Sequence, residues 1–251
     1  MGDPNPYASL PAINIYTYDL GALMNDYSDD EKAFNFREFF RTKDDGTFIH
    51  ENDVDNFLSL LCKEDKESLY PYSNNQYRSI FRHTLWVVPG VKAARALSAK
   101  LKAHPVFGCF EIVNVAGNGD EDEENADALQ MVNTAIGENP DETFTITLSC
   151  GRLTTGVSIK PWTAVFMMAG SSSTSAAGYM QTIFRVQTPF TYKGRMKERC
   201  YAFDFAPDRT LRMLAEVAKV SAKAGKATEE DRKILGDFLN FCPIISIEGS
   251  K

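Results

Sequence analysis

Residues 83–103 read HTLWVVPGVKAARALSAKLKA, and the change of rhythm inside this stretch decides the fold class. The first part is a short apolar run rich in β-branched and aromatic residues, closed by Pro89 and Gly90, two residues that interrupt regular backbone pairing. From Val91 the period changes. Val91, Ala94, Leu97 and Leu101 fall on one stripe of a 3.6-residue helix, with lysines and an arginine on the rest of its surface. Strand, tight turn and helix together make half of a βαβ unit.

The same unit recurs on either side. FEIVNVAG (110–117) reads as a second strand, and ADALQMVNTAIG (126–137) as a helix ending at a glycine. TFTITLS (143–149), TAVFMMAG (163–170) and RCYAFDFA (199–206) supply three more apolar runs of strand length. Strands that alternate with crossover helices predict an α/β fold with a doubly wound, mainly parallel sheet and helices on its flanks.

The ends of the chain read differently. Residues 1 to about 75 open on a strand-like AINIYTYDL (12–20) and continue through the acidic, aromatic helices FNFREFFR (34–41) and ENDVDNFLSLLC (51–62), with no parallel-sheet rhythm. After Pro207 come two amphipathic helices, at 209–223 and 228–241, and then an apolar run that begins a strand and stops. The expected organisation is a partly helical N-terminal extension (1–75), an α/β lobe (76–206) and a C-terminal helical segment (207–251) that reads as truncated. GSSSTSAAG (170–178) is expected to be a flexible loop.

Composition narrows the function classes. The chain has 251 residues, 43% of them hydrophobic, which is enough for a substantial core. No apolar run has the length to cross a bilayer, and the opening MGDPNPYASLP lacks the pattern of a secretory signal, so a soluble, cytoplasmic protein without membrane contact is expected. Cysteines 62, 109, 150, 200 and 242 form no CxxC pair and the histidines at 50, 83 and 104 lie far from them, so neither a disulfide framework nor a metal site is expected.

A net charge of -7 argues against a polyanion partner, but its distribution argues the other way. Residues 76–104 carry six Lys/Arg and no Asp/Glu, residues 105–151 carry no Lys/Arg, and residues 185–212 carry seven basic residues against three acidic ones. Two basic segments that met on one face would make a footprint for a polyanion; solvated helix faces are the plainer alternative.

The segment with chemical potential is FTITLSCGRLTTGVSIKPWTAVFMM (144–168), followed by the serine-rich loop and YMQTIFRVQTP (179–189). Gly151 and Gly156 bracket a turn that a ligand could approach closely, and the Thr154 and Thr155 hydroxyls suit phosphate oxygens. Loops at the carboxyl ends of parallel strands are where such sheets bind ligands. Gln181 and Arg185, four residues apart, share one helical face and suit a phosphate that gains charge during reaction. Arg185 could instead be an ion-pair partner of Asp204 or Glu198, and Trp162, Met167 and Met168 are expected in the core.

In the order strand, VPG, helix, strand, VAG, helix, strand, TTGVSIKP, strand, YMQTIFRVQTP, the chain resembles the second RecA-like lobe of superfamily 2 helicases, in particular the DEAD/DEAH-related proteins of restriction enzymes. The resemblance runs from Thr84 to Phe205 and rests on the fifth and sixth helicase motifs together. It implies a motor lobe in which Arg185 is the arginine finger and Gln181 touches the nucleotide, with Gly156 and Ser158 beside it. Thr154 and Thr155, with Pro89, Gly90 and Gly117 at the ends of earlier strands, would contact nucleic acid, double-stranded DNA in a restriction system. Two positions depart from the family pattern: Ser158 stands where Asp is common, and Thr188 where a second arginine is common.

The chain contains no GxxxxGK[ST] phosphate loop; AGKA (224–227) lacks both the leading glycine and the hydroxyl. The acidic run DEDE (120–123) follows VAGNG and reads as a solvated loop, not a metal box. The resemblance therefore implies that ATP and Mg²⁺ are held mainly by a preceding RecA-like lobe of the same polypeptide, and that this chain alone is inactive. A non-catalytic RecA-like binding or scaffolding module is the alternative reading. A small-molecule α/β enzyme fits less well, for want of a nucleophile, base or metal cluster.

Overall fold

A computed structural model of the chain describes residues 9–18, 20, 34–64, 70–117, 121–151, 158–169, 176–206 and 244–247, with backbone alone at 121–125, 176–177 and 244–247. Its centre is a seven-stranded sheet made of β1 (Ala12–Tyr18), β2 (His83–Val87), β3 (Glu111–Asn114), β4 (Thr145–Ser149), β5 (Ala164–Met167), β8 (Arg199–Asp204) and β9 (Ile244–Ile247). The spatial order is β3-β4-β2-β5-β8-β1-β9, and every neighbouring pair is parallel. A separate two-residue hairpin, β6 (Thr191–Tyr192) with β7 (Arg195–Met196), precedes β8.

The all-parallel pairing follows from the unbroken apolar runs. Every residue of β2, β4 and β5 is buried, as parallel strands covered on both faces require. On one face Leu85, Val87, Val165, Met167 and Ala202 pack with α5 (Glu121–Ile136) and α6 (Ala176–Phe184) through Val132, Ile136, Tyr179 and Ile183. On the other face Trp86, Phe166 and Phe203 pack with α1 (Phe36–Phe39), α2 (Glu51–Leu61) and α4 (Val91–Ala103); α3 (Asn75–Ile80) adds Tyr77 at the margin. The fold is thus a doubly wound α/β sheet of RecA-like type, with helices on both faces and a helical N-terminal region.

The second face is built largely of rings. Phe166 stacks on Trp86 with centroids 4.9 Å apart and on Tyr72 at 5.6 Å, and Phe57 meets Phe205 edge-on at 5.2 Å. The Trp86 indole N–H donates to Thr84 Oγ1 at 3.1 Å, and the Tyr72 hydroxyl shares that oxygen at the same distance. These two ring donors are therefore paired inside the core. Trp162, Met167 and Met168 are buried, as expected from the sequence.

Three expectations need correction. The sheet is not confined to residues 76–206: β1 lies between β8 and β9, so one strand from each flank completes it. A strand whose partners are remote in sequence leaves no local crossover pattern, which is why the N-terminal region showed no parallel rhythm. The acidic run at 120–123 is not wholly a loop, because α5 is already helical from Glu121; acidic residues favour a first helical turn. Finally, Gln181 and Arg185 do not share one helix: α6 begins at Ala176, inside the stretch read as a loop, and stops at Phe184, one residue before Arg185. The two helices expected after Pro207 lie outside the described residues. Among the described residues no helix is long and apolar enough to cross a membrane.

Candidate functional site

Three loops leave adjacent strands at the carboxyl edge of the sheet. Pro89 and Gly90 follow β2, Gly117 follows β3, and Gly151 follows β4, in the middle of the order β3-β4-β2. Val88 N–H donates to Ser149 O at 2.8 Å, which ties the starts of two of these loops together. Gly90 has φ +155° and ψ 169° and Gly151 has φ +136°, conformations that a residue with a Cβ adopts only under strain. Gly90 also caps α4, whose first turn starts with Ala94 N–H donating to Gly90 O at 2.9 Å. Gly117 and Ser158 are exposed, while Pro89 and Gly90 are half-buried. Thr154, Thr155 and Gly156 lie outside the described residues.

α6 runs back from this edge to the opposite one. Near its start the Tyr179 hydroxyl donates to Asp204 Oδ2 at 2.6 Å, at the carboxyl end of β8, and Asp204 Oδ1 accepts from Ala206 N–H at 2.8 Å. Beyond its end the Gln187 side-chain N–H donates to Pro11 O at 3.1 Å, just before β1 begins. Gln181 is exposed midway along the helix, and Arg185 is half-buried at its end. The helix closes through Arg185 N–H to Thr182 O at 3.2 Å, and the Thr188 hydroxyl donates to Arg185 O at 3.1 Å. The structure therefore separates the expected residues: the glycine loops lie at the carboxyl edge, whereas Arg185 is delivered to the amino edge.

What fixes the end of α6 is a residue that sequence reasoning missed. Lys197 Nζ donates to Val186 O at 2.9 Å, to Lys160 O at 2.9 Å and to Trp162 O at 3.0 Å, so one ammonium joins the residue after Arg185 to the segment before β5. Removal from water pushes this ammonium down to about 8. Its place in the basic stretch 185–212 was visible, but nothing in the sequence distinguishes a caged lysine from a solvated one. Gln187, in the same motif, is likewise buried and holds β1.

Among the described residues no group of three or more His, Cys, Asp or Glu side chains converges to hold a metal ion. The side chains of the acidic run at 120–123 lie outside the described residues. The described surface carries Arg185 just beyond the end of α6 and the glycine loops at the far edge of the sheet.

No family model matches the chain. A protein of Mycoplasma pneumoniae named "Putative type II restriction enzyme and methyltransferase RM.MpnORF110P C-terminus" is 27% identical over 280 aligned positions, covering 98% of this chain and 36% of that protein. Among solved structures, the "ATP-dependent Type ISP restriction-modification enzyme LlaBIII bound to DNA" superposes over 96% of this chain and 16% of its own, with a TM-score of 0.50 and 14% identity. T4 UvsW matches over 96% of this chain at a TM-score of 0.38 and 11% identity. The chain thus spans about a third of the length of its curated relative, 36%. The likeness to LlaBIII agrees with the doubly wound, RecA-like α/β sheet described above.

Proposed function

We propose that this chain is the second motor lobe of an ATP-dependent DNA translocase of a restriction-modification system. The observation that carries this reading is the sequence relation to the Mycoplasma pneumoniae restriction protein over 98% of the chain, on a sheet of RecA-like order. The lobe is centred on residues 76–206, with β1 and β9 from the flanks completing its sheet.

In this reading ATP and Mg²⁺ are held mainly by a preceding RecA-like lobe, because this chain has no phosphate loop of its own. Arg185 meets the γ-phosphate when the lobes close and stabilises the charge that develops there, with Gln181 on the same side. Ser158 and Gly156 lie beside the nucleotide. Pro89, Gly90 and Gly117 grip the DNA backbone at the carboxyl edge, Thr154 and Thr155 contact the same backbone, and lobe opening and closing moves that grip. Lys197 and Gln187 hold the segment after Arg185 on the sheet. The sheet order supports a lobe of this kind, and the location of Arg185 at a helix end suits a group that reaches into a neighbouring site.

The reading is tested by ATP hydrolysis in the complete protein that carries this chain. DNA is expected to stimulate hydrolysis, whereas residues 1–251 alone hydrolyse no ATP. Metal-dependent turnover by the 251-residue chain itself, or a complete protein without ATPase activity, would overturn it.

A further inference from the structure

The two basic segments of the sequence do meet. A surface cleft of about 460 Å³ at the amino edge of the sheet is lined from one side by Arg82 and from the other by Arg195, Lys197 and Arg199, with Asp141 and Glu198 as its carboxylates. Four cations against two carboxylates give this edge a positive balance in a chain of net charge -7. The cations are not equivalent. Arg195 pairs with Asp141, and Lys197 is spent on three carbonyls. Arg82 sits over the Phe144 ring, its guanidinium carbon 4.0 Å from the centroid, and donates to Thr143 O at 3.4 Å, which leaves further guanidinium donors. Arg199 is exposed at the first position of β8.

Aromatic faces stand between the charges. Phe190 and Tyr192 stack with centroids 6.2 Å apart on the hairpin side, and half-buried Tyr201 lines the same cleft. The Tyr192 hydroxyl donates to Asn139 Oδ1 at 2.7 Å, which holds the ring in place. Planar guanidinium forks suit phosphate oxygens, and fixed rings suit bases. An acidic peptide would use the cations and have no use for the rings.

We infer that this amino-edge cleft is a second nucleic-acid contact, one that takes the phosphodiester backbone of a strand on Arg82 and Arg199 with bases against the neighbouring rings. It rests on the reading of the chain as a nucleic-acid motor lobe, but it lies on the opposite edge of the sheet from the glycine loops assigned to DNA there. Each edge can therefore be tested apart from the other.

The experiment is fluorescence anisotropy of a labelled single-stranded oligodeoxynucleotide titrated with the 251-residue chain at two or more salt concentrations. Arg199→Glu is compared with Lys43→Glu, an equal charge reversal at an exposed lysine in the turn at 43–46, which lines neither the cleft nor the glycine loops. Circular dichroism checks that each variant is folded, and the milder Arg199→Gln replaces the reversal if it is not. The cleft predicts binding roughly tenfold weaker in Arg199→Glu, with a salt slope lower by about one, and a much smaller change in Lys43→Glu. Binding that survives Arg199→Glu, or that falls equally in both reversals, would overturn the cleft while leaving a nucleic-acid lobe in place. No binding by the native chain at low salt would likewise overturn the cleft, whereas the motor-lobe reading stands or falls with the ATPase of the complete protein. Competition by polyglutamate as effective as by unlabelled oligonucleotide would assign the surface to acidic protein and overturn the inference.

Discussion

His83 shows how much one side chain in this core depends on a loop far away in sequence. It is 3% exposed, its Nε2–H donates to Pro140 O at 2.7 Å, and its Nδ1 accepts from the Thr145 hydroxyl at 3.0 Å. Burial pushes the imidazole from 6.5 down to about 4, so the folded chain holds it neutral. Between those values the unfolded chain binds the proton and the folded chain does not. The associated stability is complete above about pH 6.5 and is lost as the pH falls toward 4, by about 3 kcal/mol. Denaturant titrations at pH 7 and pH 4.5 should show this loss, and His83→Gln should flatten the dependence; an equally steep slope in the variant would count against it. The residue's position in the sequence announced none of this, because both partners belong to segments that meet it only in the folded sheet. Lys197 was hidden for the same reason. Lys197→Met strands three carbonyls that the ammonium now satisfies and should cost about 2 kcal/mol or more, readable as a lowered denaturation midpoint.

At the scale of elements, reading was most accurate where a local period carried the information. The helix at Val91–Ala103 and the strands at His83–Val87 and Thr145–Ser149 fall where the apolar patterns put them, because amphipathic and fully buried runs identify themselves over ten residues or so. Gly90 marks the join between strand and helix, and its backbone explains why a glycine stands there. Gly90→Ala adds a Cβ that meets nothing within 4 Å, so its whole effect should come from φ +155°, a destabilisation of about 1–2 kcal/mol seen as a lower Tm. An unchanged Tm would mean that the turn relaxes freely. The end of α6 was misread because the apolar pattern of YMQTIFRVQTP runs past the helix: Val186 and Gln187 are buried by the sheet edge, not by helical packing.

For the whole molecule, the class of fold was legible and its extent was not. Crossover units announced a parallel sheet, but β1 sits between β8 and β9, and pairing across almost the full chain has no local signature. Removing residues 1–18 would take out an interior strand, so the shortened chain should lose its cooperative thermal transition; a sharp transition at the native Tm would show that β1 is dispensable. The candidate residues were chosen from motifs, and those motifs did not tell that the glycine loops and Arg185 go to opposite edges, since that depends on the direction in which α6 packs. The claim of a motor lobe rests on Arg185 acting on a nucleotide held elsewhere, and it is tested most directly by the DNA-stimulated ATPase kcat of the complete protein with Arg185→Ala, measured alongside Tm. The account predicts a fall of roughly 10³-fold in kcat with nucleotide binding and Tm little changed, and little rescue by Arg185→Lys. A folded Arg185→Ala protein with near-native kcat would contradict it.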